Sequence, residues 1–148
     1  MKKFLIAAAA AVCVCFAGCE SRSSASLTYK VETGDSIKVT LDTKDNDYSL
    51  KSEDNTFIVK EEDEIILQGI FLTMDSYYDY ETVIWETGIN IDSEDDYIFY
   101  QYNGDAGMES NFLIQVPDSD TGVIIASLED ADDAMEAFEK LKFENVKD

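Results

Sequence analysis

Histidine is absent from this chain of 148 residues, and cysteine is confined to its start. Cys13, Cys15 and Cys19 are the three cysteines, and the 129 residues after them contain none. Without histidine, the Ser-His-Asp and Cys-His mechanisms lack their general base. The first-choice ligands of zinc are missing as well. The composition therefore argues against the commonest forms of nucleophilic and zinc-dependent catalysis.

Positive charge is also scarce, and one long stretch has none. Residues 61–139 contain 22 Asp or Glu and no Lys, Arg or His, in a chain whose net charge is −21. Because phosphate binding needs a basic footprint, we expect no nucleic-acid partner, and we expect anionic lipid headgroups to be disfavoured too. The carboxylates must be hydrated, hold a metal ion or meet a basic partner; hydration that keeps a surface protein dispersed is the simplest explanation. The apolar content of 45% is too high for disorder, so we expect a folded domain.

The first 19 residues have the features of an export signal. Lys2 and Lys3 precede an apolar run of 15 residues, 4–18. That run is shorter than the roughly 20 residues of a transmembrane helix. It ends in the sequence FAGC at 16–19, which resembles the lipobox of bacterial lipoproteins, with Phe where Leu is usual. An ordinary cleaved signal peptide or an uncut anchor is the alternative.

The resemblance implies a place and a processing event. In that family the thiol of the lipobox cysteine carries the lipid, and a peptidase removes the peptide before it. Residues 1–18 would then be the removed signal peptide, and Cys19 would hold the protein at the cell membrane on its extracytoplasmic side. Residues 19–26, small and polar, would form a flexible tether, followed by a single domain over 27–148. This acidic, Tyr-rich domain is similar in style to small Gram-positive lipoproteins of unknown function.

Alternation of apolar and polar residues at 37–41 and 48–51, and β-rich runs farther along the chain, predict a series of short strands separated by polar turns. The predicted strands cover 37–41, 48–51, 56–60, 64–73, 97–102, 111–116 and 122–127. A helix is predicted after them, because acidic residues crowd its start and apolar residues follow at helical spacing. That apolar stripe consists of Ala131, Ala134, Met135, Phe138 and Leu141. The predicted fold class is α+β: an antiparallel β-sheet meander with a C-terminal amphipathic α-helix packed on one face.

The stretch from Ser76 to Glu86 can be read as a helix or as a strand. Ser76 with Asp79 suits a helix start, and Tyr77, Tyr80 and Ile84 would then share a face. The β-branched and aromatic residues at 82–85 favour a strand instead.

Two regions are candidate binding sites. The first is aromatic and consists of Tyr77, Tyr78, Tyr80 and Trp85, mixed with carboxylates. Such rings stack on sugars or concentrate at protein interfaces, unless most of them belong to the core. The second is the acidic loop with Asp92, Glu94, Asp95 and Asp96, where clustered oxygens could form a weak calcium site. Solvated turn residues are the alternative there, and we expect no other cofactor.

These observations together predict a non-catalytic binding module for a glycan or a basic protein surface. One alternative is a structural accessory subunit of a membrane complex. A small hydrolase that uses paired carboxylates is a further alternative. A domain of this length leaves little room for the deep sugar cleft that such an enzyme needs.

Overall fold

The computed structural model describes residues 12–13 and 23–146, with eleven strands and two helices in that part of the chain. Cys19 lies outside the described residues, as does most of the predicted signal peptide. The strands are β1 (Val12–Cys13), β2 (Ser24–Lys30), β3 (Ser36–Asp42), β4 (Tyr48–Glu53), β5 (Thr56–Glu61), β6 (Glu64–Thr73), β7 (Ile89–Ser93), β8 (Ile98–Gly104), β9 (Gly107–Gln115), β10 (Thr121–Ser127) and β11 (Leu141–Asn145). The helices are α1 (Met74–Thr87) and α2 (Ala131–Phe138). Neither of these helices has the length and apolarity that crossing a membrane requires.

The strands form two antiparallel sheets. The small sheet has the order β1-β2-β3-β11, and the large sheet has the order β4-β5-β6-β10-β9-β8-β7. Consecutive strands pair as hairpins within β4–β6 and within β7–β10, and β10 then pairs with β6. The prediction of an antiparallel meander in an α+β fold is confirmed at this level.

Alternating side chains of the large sheet pack against different layers. On β9, Phe112 belongs to a core cluster that also contains residues of the small sheet and of α2, whereas Leu113 belongs to a second cluster with Ile84 of α1. Because successive side chains of a strand point to opposite faces, α1 and the small sheet lie on opposite sides of the large sheet. The fold therefore has three layers.

Aromatic rings join the two sheets. The ring of Tyr29 on β2 lies 4.9 Å from that of Phe71 on β6, measured between centroids. The ring of Phe143 on β11 lies 5.6 Å from that of Phe57 on β5. Burial of these large rings stabilises the contact between the sheets.

The end of the chain differs from the prediction. α2 begins after Asp130, whose side chain accepts a hydrogen bond from the amide of Asp133 at 2.9 Å, and it ends at Phe138. Leu141 is not on the helix; it is the first residue of β11, which pairs with β3. The prediction that a helix is the last element is wrong. Pairing with β3 decides the conformation there, and no local pattern reports it.

Two further segments are settled by the structure. Residues 76–86 are helical, within α1, and Tyr77, Tyr80 and Ile84 do share its packed face. The N-cap is Thr73 rather than Ser76, because the Thr73 hydroxyl accepts from the Ser76 amide at 3.2 Å. β2 begins at Ser24, so residues 24–26, which we expected in the tether, are part of a strand.

Candidate functional site

A cleft of about 470 Å³ lies between α1 and the turn that connects β7 to β8. It brings together parts of the aromatic region and of the acidic loop. Four carboxylates and two tyrosines line it: Glu81, Glu94, Asp95, Asp96, Tyr77 and Tyr97. We call this space the acidic cleft.

Helix α1 supplies Tyr77 and Glu81. The two residues are four apart, so they are neighbours on one flank of the helix. Ile84, which is buried against the large sheet, holds the helix from the adjacent face. The N-cap at Thr73 fixes where the helix starts and therefore which flank meets the cleft.

The opposite wall is the β7–β8 turn. The amide of Glu94 donates to the carbonyl of Tyr97 at 2.8 Å, which closes the turn and exposes Asp95 and Asp96 between them. The Tyr97 ring contacts the rings of Phe112 and Phe138 at centroid distances of 6.1 and 5.0 Å. Packing of the Tyr97 ring against the core therefore fixes the position of the β7–β8 wall of the cleft.

Negative charge accumulates in this cleft, and none of the described residues that line it is a Lys or an Arg. The side chain of Asp92 hydrogen-bonds that of Glu94, and this bond, with the charges of Asp92 and Asp95, raises the pKa of Glu94. Burial, followed by the charges of Glu94 and Asp92, raises the pKa of Tyr97. Burial and the charge of Glu81 raise the pKa of Tyr77. Besides burial, neighbouring carboxylates contribute to each of these pKa shifts, so a positive charge placed in the cleft would be stabilised.

The four residues of the predicted aromatic site are divided between two environments. Tyr77 lines the acidic cleft, and Tyr80 packs against the second core cluster, where burial raises its pKa. Tyr78 and Trp85 are 55% and 56% exposed. They are seven residues apart, so they share a flank of α1, on which Glu81 also lies. The Tyr78 ring meets that of Tyr77 edge-on at 5.4 Å.

The predicted calcium ligands are only partly brought together. Glu94, Asp95 and Asp96 line the cleft, whereas Asp92 acts on it through its hydrogen bond with Glu94. Among the described residues, no group of three or more His, Cys, Asp or Glu side chains is arranged to hold a metal ion. The calcium site stays a prediction for which the structure provides no ligand cage.

Sequence reasoning missed two members of the cleft. In the sequence Glu81 is one of the carboxylates among the aromatic residues, and Tyr97 is the first residue of the predicted strand 97–102. Their meeting depends on α1 lying beside the β7–β8 turn, which local patterns do not encode. Comparison of the chain with protein-family models, curated proteins and solved structures finds no match.

Proposed function

We propose that this protein is a non-catalytic binding module whose acidic cleft takes a positively charged side chain of a basic partner protein. One observation carries the proposal: four carboxylates and two tyrosines line a single cleft within a 79-residue stretch that contains no cation. A lysine or arginine in the cleft would supply the missing charge.

The chemistry of the walls suits such a guest. Carboxylates form charge-assisted hydrogen bonds with ammonium and guanidinium groups, which are stronger than neutral hydrogen bonds. Tyrosine rings attract cations placed over their faces. The exposed rings of Tyr78 and Trp85 lie on the flank of α1 that carries Glu81, and such residues commonly anchor protein interfaces.

We further propose that the protein works at the outer side of a membrane, held by a lipid on Cys19. The lipobox-like sequence supports this placement. Mass spectrometry of protein isolated from its native host tests it, and a diacylglycerol-modified amino-terminal Cys19 is the expected result. An unmodified amino end upstream of Cys19 would contradict it.

Binding to the cleft can be tested with a defined pair of peptides. The first is a short arginine-rich peptide, and the second has glutamine in place of each arginine. Calorimetric titration should show binding of the first alone. The cleft variant Glu81→Gln/Glu94→Gln/Asp96→Asn should weaken binding at least about ten-fold, since each lost charged hydrogen bond contributes on the order of 1.5 kcal/mol.

A matched variant separates the cleft from the net charge of the protein. Glu53→Gln/Glu61→Gln/Asp63→Asn removes the same number and kinds of carboxylate from exposed positions elsewhere. This variant should bind the arginine-rich peptide nearly as well as the unaltered protein. Equal weakening in both variants would mean that the peptide responds only to overall charge, and the cleft proposal would fail.

A glycan is the second candidate ligand, and the exposed pair Tyr78 and Trp85 favours it. Rings of this kind stack on sugar faces, and Asp79 and Glu86, both exposed on α1, could accept hydrogen bonds from sugar hydroxyls. Neutral oligosaccharides should then perturb the fluorescence of Trp85, the only tryptophan. Insensitivity of that fluorescence across a glycan panel would remove this candidate.

The finer arrangement of the fold is also part of the proposal: α2 covers one face of the large sheet. Phe138 supports this, because its ring stacks on that of Phe112 with centroids 4.1 Å apart and planes 6° from parallel. Ala134 and Ala137 are fully buried. An accessory-subunit role would use a different surface of the same fold.

A further inference from the structure

The large sheet ends in two edge strands, β4 and β7, which differ in charge and in cover. β4 carries Lys51 and lies close to β2. β7 carries Asp92 and no cation. In the described part of the chain, β8 is the only element with which β7 makes extensive contact, and four of the five residues of β7 are exposed. The edge at β7 is therefore open to a further strand.

Pairing with β8 fixes which backbone groups of β7 point outward. The amide of Glu94 donates to the carbonyl of Tyr97 at 2.8 Å, so it points toward β8. Asp92, two residues earlier, pairs with β8 in the same orientation. The carbonyl and the amide of a planar peptide unit point in opposite directions. The carbonyls of Ile91 and Ser93 and the amide of Ser93 therefore face the open edge, where they can hydrogen-bond an added strand.

The side chains beside this edge are acidic. Ile91 packs in the second core cluster, on the α1 side of the large sheet, so Asp92 points to the other side. Glu94 shares that side, in agreement with the hydrogen bond between the Asp92 and Glu94 side chains. In an added antiparallel strand, a cationic residue opposite Asp92 would form a non-hydrogen-bonded pair, in which the side chains are closer. Opposite charges in such cross-strand pairs are stabilising.

The open edge leads into the acidic cleft. Ser93 is the last residue of β7, Glu94 follows it, and both line the cleft. We propose that a basic, extended segment of the partner protein adds to β7 as an antiparallel strand and carries its cationic side chains past Asp92 to the acidic cleft. This rests on the proposed function, because it names how the partner of that cleft is held. In strand addition, main-chain hydrogen bonds supply affinity and alternate side chains supply specificity.

The charges disfavour a second copy of this chain at the same edge. Two paired copies of β7 would bring Asp92 and Glu94 close to their own equivalents, and like charges directly opposite are destabilising. The backbone of Asn90 has a φ of 53°, and the ladder with β8 is irregular between Ile89 and Asp92. Acidic side chains and irregularities of this kind protect an edge strand from indiscriminate pairing. A basic strand turns the same charges into an attraction.

Selective N-methylation of a peptide tests the pairing on the unaltered protein. The peptide alternates threonine and arginine over seven residues, beginning and ending with threonine. With its arginines opposite Asp92 and Glu94, its internal threonines donate their amides to the β7 carbonyls. N-methylation of the two internal threonines should weaken binding at least about ten-fold in calorimetric titration, since it removes these hydrogen bonds. N-methylation of two arginines, whose amides point away from β7, should change binding by less than about two-fold.

A substitution in β7 gives a second readout. Ser93→Pro removes the outward amide and leaves the ladder with β8 intact, because proline is tolerated where the amide of an edge strand faces solvent. It should weaken the binding of the unmethylated peptide at least about ten-fold, since the lost amide no longer donates and the proline ring blocks the added strand. Ser93→Ala keeps the amide and removes only the hydroxyl, so this matched variant should bind nearly as well as the unaltered protein.

Three results would overturn strand addition. The first is equal binding of the two methylated peptides, and the second is equal binding by Ser93→Pro and Ser93→Ala. The third is self-association of the unaltered protein, measured by sedimentation, that Ser93→Pro abolishes and Ser93→Ala does not; the occupant would then be a second copy of this chain.

Failure of the proposed function gives a different pattern. The cleft variant Glu81→Gln/Glu94→Gln/Asp96→Asn would then bind the unmethylated peptide as well as the unaltered protein does. A peptide that this variant binds weakly, but that tolerates methylation of its threonines, contradicts strand addition alone. A peptide that is sensitive to threonine methylation but indifferent to the cleft variant contradicts the role of the cleft alone.

Discussion

The hydroxyl of Thr121 donates a hydrogen bond to the carboxylate of Asp35 at 2.7 Å, across 86 residues of chain. The same carboxylate accepts from the amide of Asp120 at 2.9 Å and from the side-chain amide of Asn145 at 3.3 Å. Asp35 lies just before β3, Thr121 begins β10, and Asn145 ends β11. One carboxylate thus links the small sheet to the large sheet beyond their apolar contact.

Asp35→Asn should destabilise the protein by about 1 kcal/mol at neutral pH, because an amide cannot accept every one of these hydrogen bonds. Burial alone would raise the pKa of Asp35, but hydrogen bonds from Thr121, Asp120, Thr33 and Asn145 outweigh it and lower the pKa below 3.8. The stabilisation by the Asp35 carboxylate is therefore fully present above its ordinary pKa. It is lost as the pH falls through the lower pKa of the folded state. Urea unfolding from pH 7 to pH 2 measures it.

The variant and the unaltered protein should converge in stability at the acid end of that series. Asp63→Asn, at an exposed turn position, is the control and should change the free energy of unfolding by less than about 0.5 kcal/mol. A constant gap between Asp35→Asn and the unaltered protein at every pH would contradict the role assigned to the carboxylate.

Gly69→Ala should destabilise the protein by about 1–3 kcal/mol through overpacking. Gly69 pairs directly with Phe57 across β5 and β6, and an added Cβ would lie 2.2 Å from the Phe57 ring. Phe57 is fully buried and contacts the Phe71 and Phe143 rings, so it has little room to move. Thermal unfolding measures the loss.

A double-mutant cycle with Phe57→Leu identifies the cause of that loss. If the ring is the obstacle, Gly69→Ala should cost less in the Phe57→Leu background, with a coupling energy above about 0.5 kcal/mol. Additive effects would instead assign the loss to the backbone of β6.

Phe138→Ala should cost about 3 kcal/mol of unfolding free energy, since it removes a ring that stacks on Phe112 and meets Tyr97 edge-on. Leu128→Ala is the control, because Leu128 is 64% exposed and should change stability little. Loss of the Phe138 ring should also loosen Tyr97 and weaken peptide binding at the acidic cleft. A Phe138→Ala protein of unchanged stability would contradict the packing of α2.

As the pH falls, peptide binding at the acidic cleft should begin to weaken at a higher pH than it would if Glu94 had the ordinary pKa of a glutamate. The pKa of Glu94 is raised, first by its hydrogen bond with Asp92 and then by neighbouring charges, so Glu94 takes up a proton before an ordinary glutamate does. A protonated Glu94 no longer attracts a cation. Titrating the arginine-rich peptide between pH 7 and pH 4 measures this loss.

Asp92→Asn should shift that loss to lower pH. The substitution removes the charge that raises the pKa of Glu94, and an amide can still hydrogen-bond the Glu94 carboxylate. Asp63→Asn should leave the midpoint where it is. An unmoved midpoint in Asp92→Asn would show that Glu94 does not control binding.

Local pattern alone determined most of the large sheet. Short β-rich runs at 56–60, 64–73 and 122–127, bounded by polar turns, predict β5, β6 and β10. For 76–86 the local pattern allows a helix or a strand, and the helical alternative places Tyr77, Tyr80 and Ile84 on one face, as they are in α1. These elements carry their signal within a few neighbouring residues.

Tertiary contact decided the rest. β2 and β11 flank β3 in the small sheet, yet Ser24 to Ser26 looks like a tether and Leu141 continues a helical stripe. Their strand conformation depends on hydrogen bonds from β3, which is distant in sequence from Leu141. The acidic cleft likewise arises only when α1 and the β7–β8 turn come together. Sequence supplied the charges of the cleft, but only packing brought Glu81 to Glu94.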